Sequence, residues 1–219
     1  MRHESHRIPG KNYAEFAGKP LYRYIIDSLV KCPSLRSIVI DTDSPTIVHD
    51  AERHYPKLQL FERPPHLRDD TVPMNDVLLN TVEQIEADWY LQTHSTNPLL
   101  SSDTIEKAIH TLLEQSDRYD SLFAATPVQN RFWDIQANPI NHEPDTLLRT
   151  QDLSPIYMEN SCIYIFNKQV LRQRHNRIGS RPLIFPIDLP EAWDIDNPID
   201  FDIAEFLYKR KHPGHLPLR

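Results

Sequence analysis

The sequence predicts an α/β domain whose sheet is mostly parallel, and three observations support this prediction. Short apolar runs, typical of buried strands, alternate along the chain with segments that carry apolar residues at helical spacing. Within residues 37–61 a strand, a helix and a second strand follow one another at the spacing of a βαβ unit. The length of 219 residues, with 39% hydrophobic and 25% charged residues, suits one sizeable domain.

The composition argues against several classes of protein. A net charge of −7 disfavours a general nucleic-acid binder, although it permits a local basic pocket. No apolar run approaches the length of a membrane span, and we expect neither membrane association nor a signal peptide. Cys32 and Cys162 are too few for a disulfide framework and indicate a reducing compartment. We therefore expect a soluble, cytoplasmic protein.

The predicted helices are segments in which apolar side chains recur every three or four residues and so share one face. Pro45, Pro73 and Pro198 each stand at the first turn of such a segment, where proline is well tolerated. Ser44 is suited to cap the helix that follows it. The helices cover residues 20–31, 45–54, 73–85, 105–114, 169–175 and 198–209.

The predicted strands are short apolar runs bounded by polar or turn-forming residues, which is the pattern of strands buried in a parallel sheet. They cover residues 37–40, 58–61, 88–94, 121–126, 159–166 and 182–187. The third run alternates with a period of two, which places Tyr90, Gln92 and His94 on one face. Open α/β sheets bind ligands at the carboxyl ends of their strands, where Gln92 and His94 stand. The alternative to a ligand site is that these polar side chains only form hydrogen bonds with neighbouring backbone groups.

The segment 127–160 departs from this alternation. Prolines interrupt it repeatedly, and several aromatic residues appear. Because proline breaks both helices and central strands, no helix can run for long here. From the residues alone, this segment is a proline-rich surface excursion.

The first twelve residues, MRHESHRIPGKN, read as a loop because no apolar period runs through them. Four cations or potential cations surround the hydroxyl of Ser5; they are Arg2, His6, Arg7 and Lys11. A loop of this charge density suits a polyanion, since guanidinium groups fit phosphate oxygens and backbone N–H groups fill the gaps between them. The alternative is a solvated, frayed terminus.

Asp194 and Asp196 flank Ile195 near the start of the last predicted helix. In an extended Asp-Ile-Asp segment both carboxylates point the same way while Ile195 faces the core. Two oxygen ligands on one face, with positions left for water and phosphate, are how proteins hold Mg²⁺. The alternative is a helix-capping Asp196 beside a solvated Asp194.

The opening loop resembles the signature loop of the acylneuraminate cytidylyltransferase family, the CMP-sialic acid synthetases. It reads Arg-x-x-Ser-x-Arg-Ile-Pro-Gly-Lys-Asn from Arg2 to Asn12. The segment Phe16–Leu21, which precedes the first predicted helix, also resembles the corresponding segment of the family. The likeness extends to about Tyr208. It implies a Rossmann-like nucleotidyltransferase fold over residues 1–219, a three-layer sandwich in which residues 127–160 form an inserted dimerisation arm.

The resemblance also implies roles for individual residues. In the family the loop wraps the triphosphate of CTP, and an Arg-Pro-x-x-Leu motif, matched here from Arg63 to Leu67, brings its arginine near the nucleotide. A rigid loop with a solvated Arg63 is the alternative. The residues expected to bind the nucleotide are Arg2, Ser5, Arg7, Lys11, Asn12, Arg63 and His94, of which Arg2 and Lys11 are also expected to be catalytic.

The acceptor and the metal follow from the same likeness. The segment 148–157 is similar to the one whose arginine meets a sugar carboxylate in the family, and a bidentate arginine is a natural clamp for that group. Both acids of the Asp-x-Asp motif bind metal in the family, which implies Mg²⁺ as cofactor at Asp194 and Asp196. The residues expected to bind the sugar are Gln92, His94, Arg149, Gln151, Asn160 and Tyr164.

The resemblance thus implies an enzyme that transfers CMP from CTP to an acidic nine-carbon sugar and releases pyrophosphate, working as a homodimer. Metal-bound water or hydroxide, or His94, would take the proton from the attacking hydroxyl. A CMP-Kdo-synthetase-like enzyme and a binding protein of the same fold without turnover are the alternatives. The family has an apolar strand directly before the loop. We expect either that a true start lies upstream of Met1 or that the sheet lacks this central strand.

Overall fold

The structure is a computed structural model that describes residues 1–213. Helices and short strands alternate along the chain, as expected. The helices are α1 (Tyr22–Val30), α2 (Pro45–His54), α3 (Met74–Glu83), α4 (Ser102–Leu113), α5 (Lys168–Arg174) and α6 (Pro198–Lys211). The strands are β1 (Glu15–Phe16), β2 (Lys19–Pro20), β3 (Val39–Thr42), β4 (Gln59–Glu62), β5 (Tyr90–Gln92), β6 (Ser121–Val128), β7 (Ile156–Phe166) and β8 (Pro182–Pro186). Every predicted helix and strand is present, with ends shifted by a few residues.

Several helices begin where the sequence places a capping residue. The Ser44 hydroxyl accepts a hydrogen bond from the backbone N–H of Ile47 at 3.3 Å, and Pro45 takes the first helical position, as predicted. The amide oxygen of Asn167 accepts one from the N–H of Val170 at 2.8 Å at the start of α5. Such caps satisfy backbone donors that the helix itself leaves unpaired.

The strands form a mixed arrangement. β3 and β4 pair in parallel, with Val39 opposite Gln59, and this pair is the predicted βαβ unit around α2. A four-stranded sheet has the order β5-β7-β6-β8. In it β6 and β8 are parallel, whereas β7 is antiparallel to both of its neighbours. The α/β class is confirmed, and the sheet is less uniformly parallel than the apolar runs suggest.

Part of the segment 127–160 belongs to this sheet. β6 continues to Val128 and β7 begins at Ile156, and these two residues pair at the end of the ladder. Between them the chain makes one isolated bridge, Trp133 to Pro139, and a short 3₁₀ turn. Ile135 and Leu147 are 93% and 86% exposed. The excursion is therefore a long extension of the β6–β7 hairpin that leaves large apolar side chains in water.

The main core lies between the sheets and helices α1 and α4. Both helices bury one apolar face, with Ile25 and Ile26 at 1% exposure on α1 and Ile105 and Leu112 at 0% on α4. No strand ladder joins β3 to β5 among residues 1–213. A cavity of about 1280 Å³ lies there instead, lined by residues of both strands. The cavity therefore separates the β3–β4 pair from the four-stranded sheet in the described residues.

A second, smaller core positions the loop. Phe16, Leu21 and Tyr24 pack with Ile195 and Ala204, all of them at 4% exposure or less. The chain after the first twelve residues is thereby fixed against the start of α6. None of the helices within residues 1–213 has the length and apolar character needed to cross a bilayer.

Replacing Leu112 by alanine tests the packing of α4. Leu112 is fully buried and its loss leaves a cavity, so we expect a decrease of about 2–5 kcal/mol in the free energy of unfolding, measured by urea denaturation. The matched control is Leu113→Ala in the same helix, because Leu113 is 45% exposed. Equal losses in the two variants would contradict the assigned burial.

Candidate active site

The opening loop is anchored at the carboxyl end of β3. The amino group of Met1 donates a hydrogen bond to the backbone oxygen of Asp41, and burial lowers the pKa of this amine to about 5. The backbone N–H of His3 donates to the carboxylate of Asp43 at 2.8 Å, and its ring contacts the Ser44 hydroxyl at 2.8 Å. The loop therefore begins at the edge where parallel strands present ligands.

Asp70 holds the same loop from another side. The guanidinium of Arg2 donates to the backbone oxygen of Asp70 at 3.1 Å, and the His6 ring lies 2.7 Å from its carboxylate. Ser5, between them, lines the large cavity. The loop is fixed at both sides, which argues against a frayed terminus.

Gly10 allows the loop to close. Its φ is +62°, a left-handed conformation that favours glycine, and a Cβ at this position would lie 2.7 Å from the Tyr13 ring. The Tyr13 ring itself stacks on His3 with centroids 5.2 Å apart. The turn thus needs both the backbone freedom and the small size of glycine.

Asn12 joins the loop to the end of β5. Its amide N–H donates to the backbone oxygen of Arg2 at 2.8 Å, and its amide oxygen accepts from the Ser95 hydroxyl at 2.6 Å. Asn12 is 8% exposed, and both ends of its amide are engaged within the protein. In this structure Asn12 shapes the loop; nucleotide binding by this residue stays a prediction.

The cationic loop and the acidic doublet meet directly. Arg7 donates to the Asp196 carboxylate at 2.7 Å. The ammonium of Lys11 donates to the backbone oxygen of Ile195 at 2.5 Å and lies 4.0 Å from the same carboxylate. Arg7 and Lys11 also line the large cavity. Two segments more than 180 positions apart in the chain therefore lie in direct contact.

Ile195 is buried, as the sequence predicts, but the two acids beside it have different surroundings. Its side chain is fully buried, and its backbone N–H donates to the oxygen of Thr96 at 2.9 Å. Burial raises the pKa of the Asp194 carboxyl, while a hydrogen bond from Thr96 opposes the shift. The other residue of the pair, Asp196, keeps its side chain nearly half exposed.

The acids offer a cation two separate carboxylates. The Oδ1 atom of Asp194 is buried and has no hydrogen-bond partner in the protein. An unpaired buried carboxylate oxygen is costly, and a hard cation such as Mg²⁺ would compensate it. Within residues 1–213 no cluster of three metal-binding side chains exists, so phosphate and water would have to complete the coordination. The donor set fits a magnesium ion of this kind.

The environment of Lys11 favours contact with an anion. Burial lowers the pKa of its ammonium, and the nearby carboxylate of Asp196 opposes that shift. The side chain is 8% exposed, so its charge is poorly solvated. A phosphate oxygen would replace lost hydration with a charge-assisted hydrogen bond.

Arg63 is placed differently from the other predicted nucleotide ligands. It is 3% exposed and donates to the Asp41 carboxylate at 2.6 Å, and the hydroxyl of Thr81 donates to the other carboxylate oxygen at 2.9 Å. The solvated alternative for Arg63 is therefore wrong. Arg63 lines the large cavity while it is held in this buried pair, and its contact with a nucleotide stays a prediction.

Gln92 and His94 lie together at the end of β5, as predicted. The Gln92 amide nitrogen is 3.0 Å from the Nε2 atom of His94, and both residues line the large cavity. A residue that the sequence did not indicate joins them: Arg177, in the turn after α5, donates to the Gln92 oxygen at 2.6 Å. Arg177 belongs to no motif, and its sequence position carries no signal of this contact.

Asn160 and Tyr164 lie on β7. Asn160 lines a second cavity of about 250 Å³ together with Asp194 and Asp200, and its amide donates to the Thr126 hydroxyl at 3.1 Å. Tyr164 is fully buried, and its hydroxyl donates to Glu159. Asp194 thus lines the small cavity on the β7 side, whereas Asp196 contacts Arg7, which lines the large one.

The structure does not bring Arg149 and Gln151 to this site. Both are exposed in the excursion between β6 and β7, and Arg149 pairs locally with Asp152 at 2.7 Å. Neither residue is among those lining the two cavities described above. The predicted contact of Arg149 with a sugar carboxylate and the predicted sugar binding by Gln151 therefore have no support within one subunit.

Comparison with known proteins gives a consistent result. The model of a family described as cytidylyltransferase matches residues 1–212. A pseudaminic acid cytidylyltransferase of Campylobacter jejuni is 27% identical, with 95% of this chain and 93% of the relative covered. A CMP-N,N'-diacetyllegionaminic acid synthase of Legionella pneumophila is 30% identical, with 93% and 91% covered.

Two solved structures share the fold. One is a CMP:2-keto-3-deoxy-manno-octonic acid synthetase complexed with CTP, with a TM-score of 0.71, 13% identity and 96% of each chain covered. The other is a 4-diphosphocytidyl-2C-methyl-D-erythritol synthase from Anaerococcus prevotii, with a TM-score of 0.67, 10% identity and coverage of 95% and 94%. At these identities the likeness supports the nucleotidyltransferase fold alone.

Gly10→Ala tests the closure of the loop. The added Cβ meets the Tyr13 ring and the left-handed backbone becomes strained, so we expect a loss of about 1–3 kcal/mol in the free energy of unfolding. The control is the same substitution in a Tyr13→Leu background, where part of the loss should disappear. An equal effect in both backgrounds, measured by urea denaturation, would show that the ring contact is irrelevant.

Proposed function

The chain belongs to the cytidylyltransferase family, and on that premise we propose that it transfers CMP from CTP to an acidic nine-carbon sugar and releases pyrophosphate. The observation that carries the proposal is the contact of the Asp196 segment with Arg7 and Lys11, two cations that line a large cavity. Cations for a triphosphate and carboxylates for its counter-cation are the two halves of a nucleotidyl-transfer site. The named relatives act on sugars of this class.

The chain's own residues would contribute mainly positioning and charge neutralisation. Arg2, Arg7 and Lys11 would bind the triphosphate and keep its α-phosphate facing the sugar hydroxyl that attacks it. In the structure Arg7 and Lys11 neutralise the acidic segment. They would exchange this partner for phosphate oxygens when the carboxylates take up a cation, so the loop is already in place before the nucleotide binds.

We propose Mg²⁺ as the cation held by Asp194 and Asp196. It would supply positive charge to the phosphate oxygens during displacement of pyrophosphate. The unpaired, buried oxygen of Asp194 supports this choice, because hard cations prefer oxygen ligands. Asp194 and Asp196 are the residues that would hold the ion.

We also propose that the excursion between β6 and β7 is the dimerisation arm. It exposes large apolar side chains, among them Ile135 and Leu147, that a partner subunit would cover. Arg149 would then meet the sugar carboxylate in the partner's site, since it lies away from the site of its own subunit. A cytoplasmic setting fits the free, buried Cys32 and Cys162 and the use of CTP.

Two measurements separate this proposal from its alternatives. Calorimetry with CTP and Mg²⁺ reports nucleotide binding, and a pyrophosphate assay with pseudaminic, legionaminic, sialic and 3-deoxy-manno-octulosonic acids reports turnover and acceptor. We expect heat of binding and pyrophosphate release with one of the nine-carbon acids. Heat without pyrophosphate would instead indicate a binding protein, and turnover with the eight-carbon acid alone would indicate a CMP-Kdo-synthetase-like enzyme.

Asp196→Asn should abolish Mg²⁺-dependent pyrophosphate release, by at least about a hundredfold in kcat, because one of the two carboxylate ligands is lost. The fold should remain intact, since Asp196 is partly exposed. The control is Asp202→Asn, which removes one exposed carboxylate from α6. Wild-type turnover in the Asp196→Asn variant would contradict the proposed role of Asp196 in binding Mg²⁺.

Mixing two inactive variants tests the arm. If Arg149 serves the partner's site, a dimer of one Arg149→Ala and one Asp196→Asn subunit contains one intact site. An equimolar mixture after subunit exchange should then recover about one quarter of wild-type activity. No recovery, with dimers verified by ultracentrifugation, would show that Arg149 does not act across the interface.

A further inference from the structure

Arg177 makes two directional contacts at the end of β5. Its Nη1 atom donates to the Gln92 side-chain oxygen at 2.6 Å. Its guanidinium carbon lies 3.5 Å from the centre of the Tyr164 ring, which is a close cation–π contact. The Tyr164 hydroxyl is in turn fixed by Glu159. Arg177 is therefore held in one orientation by stacking and by hydrogen bonding.

This geometry fixes the orientation of the Gln92 amide. Arginine carries donors and no acceptor, so the amide atom that faces it must be the oxygen. The Gln92 nitrogen then faces the Nε2 atom of His94, at 3.0 Å. The usual ambiguity between the oxygen and nitrogen of a glutamine side chain does not arise here.

The amide in turn fixes the protonation of His94. Because the Gln92 nitrogen is a donor, the Nε2 atom that it approaches must be an acceptor and carry no proton. A neutral imidazole has one proton, which must then be on Nδ1.

We propose that Arg177 is a positioning residue that, through the Gln92 amide, holds His94 as the neutral Nδ1–H tautomer and so makes it a hydrogen-bond donor instead of a general base. The one lone pair of the neutral ring is engaged by Gln92 and is not free to take a proton from an attacking hydroxyl. For the reaction, this inference rests on the proposed function. It leaves the proton to a group other than His94, such as cation-bound water or hydroxide.

The surroundings of His94 also favour its neutral form. Burial, the largest cause, together with the positive charges of Arg177 and Lys11 lowers the pKa of His94 to about 4. His94 is therefore neutral at pH 7, as the Nδ1–H tautomer requires. Loss of the Arg177 charge removes one of these contributions.

The test is the nitrogen NMR spectrum of histidine side chains in the isotope-labelled full chain, recorded without substrate from about pH 6 to 8. The two neutral tautomers have distinct nitrogen shifts, and His94→Gln identifies the signal of His94. We expect a single Nδ1–H tautomer throughout this range. An Nε2–H tautomer, an even mixture or a titrating ring would overturn the proposal.

Arg177→Met removes the charge and the donor while it keeps an apolar contact with Tyr164. We expect a mixture of His94 tautomers and a rise of its pKa from about 4 towards 6.5. Arg177→Lys keeps a charge and a donor and should retain the Nδ1–H form. The matched control is Arg174→Met at the end of α5, which removes one exposed cation. An unchanged His94 signal in Arg177→Met would overturn the proposal.

A kinetic readout separates positioning from stability. In Arg177→Met, release of the Gln92 amide should raise the KM for the acidic sugar about tenfold, as expected for one lost oriented hydrogen bond, whereas Arg177→Lys should stay within about twofold of wild type. Equal changes in the two variants would count against the proposal. Because the NMR experiment needs no turnover, it decides the tautomer even if no sugar acid is a substrate.

Discussion

The contact of Arg7 and Lys11 with the Asp196 segment is the constraint on which the rest of the site depends. Without the other segment, each would carry uncompensated like charges: the cations of the loop repel one another, and so do the two neighbouring carboxylates. Together they neutralise one another at the boundary between protein and solvent. Gly10 closes the loop, Asn12 joins it to the end of β5, and buried Ile195 holds the acids in place. Each of these residues keeps opposite charges within reach of a single ligand.

The two cavities beside this contact have different linings. The cavity on the loop side is large and is lined by cationic side chains, which suits a nucleoside triphosphate. The smaller cavity on the β7 side is lined by Asn160 and by the acids Asp194 and Asp200. Asp194 lines the second cavity, whereas Asp196 contacts Arg7 of the loop.

Local features of the sequence predict most of the fold. Ser44 and Pro45 start α2 through short-range bonds, and the alternation around Gln92 and His94 defines the face of β5. Strand direction is not a local property, and the periodicity of an apolar run is the same in either direction. The antiparallel placement of β7 was therefore not predicted. The joining of the β6 and β7 ends at Val128 and Ile156 depends on long-range pairing in the same way.

In the site, too, some features could be predicted from the sequence and others depend on long-range packing. The family resemblance assigned the loop to the triphosphate and the acidic doublet to its metal, which implies one shared site, but the direct contact of Arg7 with Asp196 was not predicted. Arg177 could not be predicted either, since its contact with Gln92 spans 85 positions and follows from how α5 and β5 pack. The buried pairing of Arg63 with Asp41 was likewise missed, because a motif indicates a residue type near a ligand and not its partner in the free protein.

The fixed position of the loop has an entropic consequence. Gly10, Asn12 and Asp70 hold the loop within the folded subunit, so ordering it is part of folding. A ligand that contacts the loop therefore loses less affinity to the ordering of the chain than it would on a free terminus.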